Sequence, residues 1–567
     1  MMLSSTLPFS PISAQSCFTM QSLTVSNRLV VPSSGSRLSP ARLAGVSVRG
    51  GGRLLPCATL RSSSIAASSI GEEFDGRREF VEASKSGNLI PIYQCIFADQ
   101  LTPVLAYRIL VDKDDREAPS FLFESAEPNS ESSNVGRYSV VGARPSMEIV
   151  AKENKVTVMD HVSGHLTEEI VDDPMVIPRK ISQEWRPVLN DQLPDAFCGG
   201  LAGYFSYDTI RYVEKKKLPF SDAPKDDRNL ADIHLGLYET VIVFDHVEKK
   251  AYVILWVRTD RYSSAESAYE DGTKQLNKLV AKLQDDKHTR LAPGAVGLKT
   301  RQFGPPLKES TMTPDAYKEA VLQAKEHIKA GDIFQARGCI LAASSPEILA
   351  RIKNKIVNRP LAGTCKRGNT PQEDEELSAK LLKDKKQCAE HVMLVDLGRN
   401  DVGKVAKSGS VKVEKLMNVE RYSHVMHISS TVTGELQDNL TCWDALRAAL
   451  PVGTVSGAPK VRAMQLIDEL EVARRGPYSG GFGYISFSGD MDIALALRTI
   501  IFPTGTRYDT MYSYKDLNKR QEWIAYLQAG AGIVADSDPN DEHQECQNKA
   551  AGLARSIDLA EAAFVDK

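Results

Sequence analysis

Apolar residues fall along this chain in short dense runs rather than long stripes. Thr240-Val-Ile-Val-Phe and Ala251-Tyr-Val-Ile-Leu-Trp-Val flank the polar stretch His246-Val-Glu-Lys-Lys, which predicts a β-hairpin. Glu148-Ile-Val-Ala and Lys155-Val-Thr-Val surround Glu153-Asn154 in the same way. Residues 260–283 read as a helix. Thr313 and Pro314 suit the cap and first turn of another, with Tyr317, Val321, Ala324 and Ile328 on one face and Gly331 at its end. The runs 480–487, 492–502 and 523–534 read as strands, and a last helix covers about 541–564. Strands and helices mix without regular βαβ alternation. The expected fold is therefore α+β, built on large antiparallel sheets with flanking helices.

Composition narrows the function classes. A chain of 567 residues, 42% hydrophobic and 25% charged, has the balance of an ordinary globular protein. Its formal net charge of −3 gives no basic excess to attract nucleic acid. No uncharged apolar run is long enough to cross a membrane. Nine cysteines without a C-x-x-C pair argue against a disulfide framework or zinc ribbon and suit a reducing compartment. The first 71 residues differ from the rest: 17 Ser, 6 Arg, no Lys and no acid. That is the composition of an organelle transit peptide, and serine richness favours the chloroplast. Without it, 64 Lys and Arg face 73 Asp and Glu, a net charge near −9. The expected division is a leader at 1–71, a strand-rich part at 72–258, a helix and linker at 259–306, and a second half at 307–567.

Several features look wrong for packing alone. Gln528-Ala-Gly-Ala-Gly-Ile follows an apolar run, and its glycines let backbone amides approach an anion. Pro451-Val-Gly-Thr-Val-Ser-Gly-Ala-Pro-Lys460 precedes a helix from about Val461, where Ser456, Gly457 and Lys460 would form an anion site. The glycine spacing is not that of a Walker A loop, so ATP is not implied. Glu390 opens a helix, and Glu542 and Glu545 begin the last one. Two such carboxylates meeting over an anion pocket would suit Mg²⁺, a hard cation that usually takes further oxygens from substrate. His424 and His427 would share a face if helical. With no third ligand near, acid/base work by one of them competes with a buried structural role.

The runs PLAGT (360–364), AEHVMLVDLGRND (389–401), RYSHVMH (421–427), PVGTVSGAPK (451–460), GGFGYISF (480–487) and QAGAG (528–532) together resemble the large subunits of anthranilate synthases, most closely the plant plastid form. The likeness spans nearly everything after the leader. It implies the sandwich fold of chorismate-utilising enzymes, with a regulatory N-terminal part and a catalytic C-terminal part. It implies chorismate as substrate, Mg²⁺ on Glu390 and Glu545, and substrate contacts from Gly363, Thr364, Tyr478, Arg498, Gly530, Ala531 and Gly532. Glu347 would assist loss of the 4-hydroxyl as ammonia adds. His427 and Thr454 would serve pyruvate elimination. Ser125 would help bind tryptophan as feedback ligand. A glutamine amidotransferase subunit would complete a heterotetramer and deliver ammonia.

Two relatives are set aside on single residues. Aminodeoxychorismate synthases carry a lysine nucleophile where this chain has Ala362, and isochorismate synthases carry a lysine base where it has Gln335. Glutamine's amide is no base. The chain also departs from its own group. After Gln335 roughly 35 residues expected in relatives, a strand, a short helix and an N-P-S-P-Y-M loop, are missing. Part of the core is thus expected to be deleted. This leaves a rival reading: a catalytically incompetent splice form, or a mis-assembled chain, that binds partners without turnover. Cys365-Lys366 stand where relatives tend to carry arginine.

Overall fold

A computed structural model describes residues 2–8, 12–14, 69–111, 119–124, 136–285, 338–353, 355–422, 425–504, 521–523, 525–533 and 537–564. The helix expected at 313–331, the Gln335–Ala336 junction and Ser125 lie outside them.

Both expected hairpins form. Thr240–Asp245 pairs antiparallel with Lys250–Arg258, and Met147–Lys152 with Lys155–Asp160. The first belongs to a five-stranded sheet and the second to a sheet of twelve strands. All the strand pairs within these sheets are antiparallel, with helices against them, as expected for α+β. The large sheet runs through both halves of the chain, because Gly200–Phe205 pairs with Gly481–Ser486. Around that seam pack Phe205, Leu235, Leu349, Leu446 and Ile493, all essentially buried. Removing such area from water supplies the main driving force for joining the halves.

The seam requires glycine. Gly203 faces Gly483 across it, and a Cβ on Gly203 would stand 2.0 Å from the His234 carbonyl oxygen. Backbone cannot yield as a side chain can. Gly203→Ala is expected to cost about 3 kcal/mol or more, seen as a fall in denaturation midpoint without change in slope.

Three expectations are corrected. The run 492–502 is two strands, Met491–Leu495 and Thr499–Thr504, broken where Arg498 takes φ +47°. A left-handed arginine cannot continue a strand. His427 lies on a strand rather than a helix, and His424 falls outside the described residues. Lys412–Arg421 and Val425–Gly434 are strands, the β-branched residues of the second favouring the sheet. The helix of residues 389–401 starts earlier, at Lys385, capped by Asp384, whose carboxylate accepts from two backbone amides.

A four-stranded sheet holds the glycine-rich run Tyr526–Gly532 between Thr499–Thr504 and, from the leader, Met2–Pro8. Its fourth strand is Gly338–Ala343. The helix Pro539–Phe564 lies against it, with Leu553 and Ile557 meeting Ile500 and Leu527. Among the described residues no helix is long and apolar enough to cross a membrane, and Cys95, Cys198, Cys339, Cys365, Cys388, Cys442 and Cys546 are free thiols.

Candidate active site

Five elements converge on one place. They are the Leu361–Lys366 strand, its neighbour Val425–Gly434, the Lys385–Gly403 helix and the Tyr526–Gly532 strand with its following helix. Gly363 at φ +67° makes a bulge in the first strand. Its carbonyl oxygen thereby lies 3.0 Å from His427 Nδ1, with Thr364 Oγ1 at 3.1 Å. A carbonyl only accepts, so Nδ1 carries the proton and Nε2 is left as the basic nitrogen. Burial holds His427 below its ordinary range. The Gly363 bond opposes this, and the positive charges of Arg498 and Lys549 reinforce it. His427 is therefore neutral at physiological pH. Its ring also meets Tyr422 edge-on at 5.6 Å, and Tyr422 donates to Glu420, which Ser429 and Arg359 also satisfy. Tyr422 and Glu420 escaped the sequence reading, because nothing in RYSHVMH told that it was a strand end.

Glu347 sits just before the Ile348–Lys353 strand and is buried. The Thr454 hydroxyl donates to its Oε1 at 2.6 Å. Burial pushes its carboxyl up to about 8, against the opposing bonds from Thr454 and the Leu361 amide. At neutral pH it holds a proton, and Thr454 leaves that proton to Oε2. Thr454 lies in the short helix Gly453–Ser456, steadied by Arg475, which donates to the Val455 carbonyl at 2.7 Å. The anion site expected around Lys460 is not borne out: Lys460 Nζ is 2.7 Å from Asp401, which also pairs with Lys404. A buried lysine needs a carboxylate more than a distant ligand.

Glu390 and Glu545 lie within electrostatic reach of each other. Glu390 is pushed up by burial and by the charge of Glu545, while Lys549 and Lys386 pull the other way. Lys549 joins Glu545 at 2.6 Å and donates to the Gly530 carbonyl at 2.9 Å. This lysine was missed, although it lies four residues after Glu545 on one helix face. A Cβ on Gly532 would stand 3.2 Å from Glu390 Oε1, so the strand backbone lies directly against that carboxylate. Tyr478 is buried, with its hydroxyl pushed up to about 12 by burial, and senses Cys546 of the same last helix. The Cys546 thiol in turn meets the Ala531 backbone.

Among the described residues no three His, Cys, Asp or Glu side chains are grouped to hold an ion by themselves. Two repelling carboxylates beside a glycine backbone do fit a hard divalent cation that takes its remaining oxygens from substrate and water.

A family described as chorismate binding enzyme matches residues 118–339 and 335–555, two stretches that meet where the missing segment is expected. Anthranilate synthase alpha subunit 1, chloroplastic, of Arabidopsis thaliana is 64% identical over 594 residues, covering 98% of this chain and all of that one. That alignment is longer than the 567-residue chain, so the relative carries residues with no counterpart here. Anthranilate synthase component 1 of Acetivibrio thermocellus is 36% identical over 513 residues, 84% of this chain and 97% of its own. Among solved structures, anthranilate synthase component I from Streptococcus pneumoniae TIGR4 superposes with TM-score 0.54 at 30% identity, over 81% of this chain and 99% of that one.

Proposed function

The chain belongs to the chorismate binding enzyme family and groups with the anthranilate synthase alpha subunits, and from that premise we propose that it converts chorismate and ammonia to anthranilate and pyruvate in the plastid. The observation that carries this reading is a buried Glu347 held by Thr454 and a His427 fixed through Nδ1 by the Gly363 carbonyl, an acid and a base whose burial favours the neutral forms the reaction needs. Glu347 gives its proton to the departing 4-hydroxyl, which leaves as water while ammonia bonds to C2, and the ammonium so formed returns a proton to the Glu347 carboxylate. His427 Nε2 then takes the C2 proton as the ring C–O bond to the enolpyruvyl group breaks, the ring becomes aromatic, and the released enolpyruvate gains a proton at its methylene carbon to become pyruvate. Arg498 is suited to grip a carboxylate of the substrate in a fork. Once the leader strand that pairs with Gly530–Gly532 is removed, the amides of Gly530, Ala531 and Gly532 would orient the ring with the phenol of Tyr478, and Gly363 and Thr364 would border it. A divalent cation on Glu390 and Glu545 would supply charge neutralisation at the ring carboxylate. The incompetent-form reading is not favoured, because relatives matching nearly the whole chain are anthranilate synthase alpha subunits.

Ammonia is scarce at neutral pH, and the sequence sets no cysteine in a nucleophile-elbow motif. A glutamine amidotransferase subunit is the partner that would supply it. The purified chain is expected to make fluorescent anthranilate from chorismate, Mg²⁺ and ammonium salts, but none from glutamine until that partner is added. Production from glutamine unaided would refute the partner, and no product from ammonium salts would refute the enzyme.

The same resemblance extends the reading to tryptophan as a feedback ligand. Ser125 follows the strand Ser120–Glu124, whose Phe121 stacks on Phe123 at 4.6 Å and meets Tyr238 edge-on at 4.7 Å. An indole needs an apolar slot closed on both sides, and by the resemblance the second wall would come from the segment missing after Gln335. Loss of about 2–3 kcal/mol of burial is roughly a hundredfold in affinity. Calorimetry is expected to show this chain binding tryptophan that much more weakly than a version with the segment restored.

A further inference from the structure

Arg228 comes from the N-terminal half, yet its guanidinium is spent on the glycine-rich strand of the site. Nη1 donates to Gln528 Oε1 at 2.8 Å, Nη2 donates to the Arg474 carbonyl, and Nε donates to Asp227 at 3.0 Å. The guanidinium carbon lies 5.6 Å from the Tyr526 ring centre. Arg228 and Gln528 are 4% and 2% exposed, so neither can replace the other with water.

Alternation along a strand decides what this does. Tyr526, Gln528, Gly530 and Gly532 share one face. Leu527, Ala529 and Ala531 share the other and are buried. The face Arg228 grips is therefore the one on which Gly532 lies against Glu390, with Gly530 about 7 Å further along the strand. The Arg228 loop is itself fixed. Asp226 accepts the Asn229 amide at 2.9 Å, and Lys152 joins Asp226 and the Leu230 carbonyl.

Resting on the chorismate reading above, we infer that Arg228 is a positioning residue for substrate binding: through Gln528 it sets the height and twist of the Gly530–Gly532 cradle. No substrate atom touches it. Because the cradle holds ground and transition states alike, its loosening should weaken binding more than chemistry.

The test compares Arg228→Lys, Arg228→Met, Gln528→Leu and the double Arg228→Met/Gln528→Leu, with ammonium as nitrogen source. The chorismate KM should rise about tenfold in Arg228→Met and Gln528→Leu, as for loss of one charge-assisted hydrogen bond, with kcat little changed. Arg228→Lys should recover part of the loss, and the double should be no worse than Arg228→Met. Hydrogen exchange without ligand should quicken at amides 528–532 in the same order. Unchanged KM in folded variants, a fall in kcat alone, or additive effects in the double would overturn the inference. If Arg228→Met does not fold, the lysine and leucine variants carry the comparison. A wild-type chain that makes no anthranilate would sink the enzymatic reading instead, and the ligand-free exchange rates would still decide whether Arg228 sets the strand.

Discussion

Glu347→Gln is expected to lower turnover by about 10²–10⁴-fold, the usual worth of a positioned general acid, while the chorismate KM hardly moves. The substitution keeps shape and still accepts from Thr454, but glutamine has no acidic proton to give to a leaving hydroxyl. The pH profile supplies an independent check. With the Glu347 carboxyl at about 8, the protonated form is complete well below that pH and is lost as pH rises through it. Wild-type kcat should therefore fall on the alkaline side near pH 8, and this limb should be absent from the residual activity of Glu347→Gln. Thr454→Val removes a hydrogen bond that favours the ionised form, so it should move the limb to higher pH. An alkaline limb that stays in place in both variants would assign it to another group.

Glu390→Gln should abolish the response to Mg²⁺ and lower kcat/KM by roughly 10³-fold, several kcal/mol of charge stabilisation. The reason is visible without the ion. Glu390 feels the like charges of Glu545 and Glu542, which Lys549 and Lys386 offset, and its carboxylate lies against the Gly532 backbone. Removing one charge relieves the repulsion, so Glu390→Gln should not lower the melting temperature while it loses Mg²⁺ binding by calorimetry. Glu545→Gln should do the same more mildly, because Glu545 is half exposed and already shared with Lys549. Full Mg²⁺-dependent activity in both variants would remove the cation from these residues.

Much of this could be read from the chain before any fold was known. Short apolar runs bounded by polar turns gave the two hairpins, since strand pairing between neighbours is a local matter of alternation and turn length. The acid-free leader, the six ordered motifs and the carboxylates Glu390 and Glu545 were all visible as text. Arg498 was visible as a residue but not as a break in a strand: its left-handed φ is imposed by what surrounds it.

What only the tertiary structure decided has a common physical cause. The acidity of Glu347, the neutrality of His427 and the pairing of Lys460 with Asp401 depend on burial and on charges tens to hundreds of residues away in sequence, and desolvation is a property of the folded interior, not of a residue type. The Arg228–Gln528 bond joins positions 300 residues apart. Local pattern fixes which segments become strands and which residue types are on offer. Only the packing of one half against the other determines which of them lose water together, and that is where the chemistry of this protein resides.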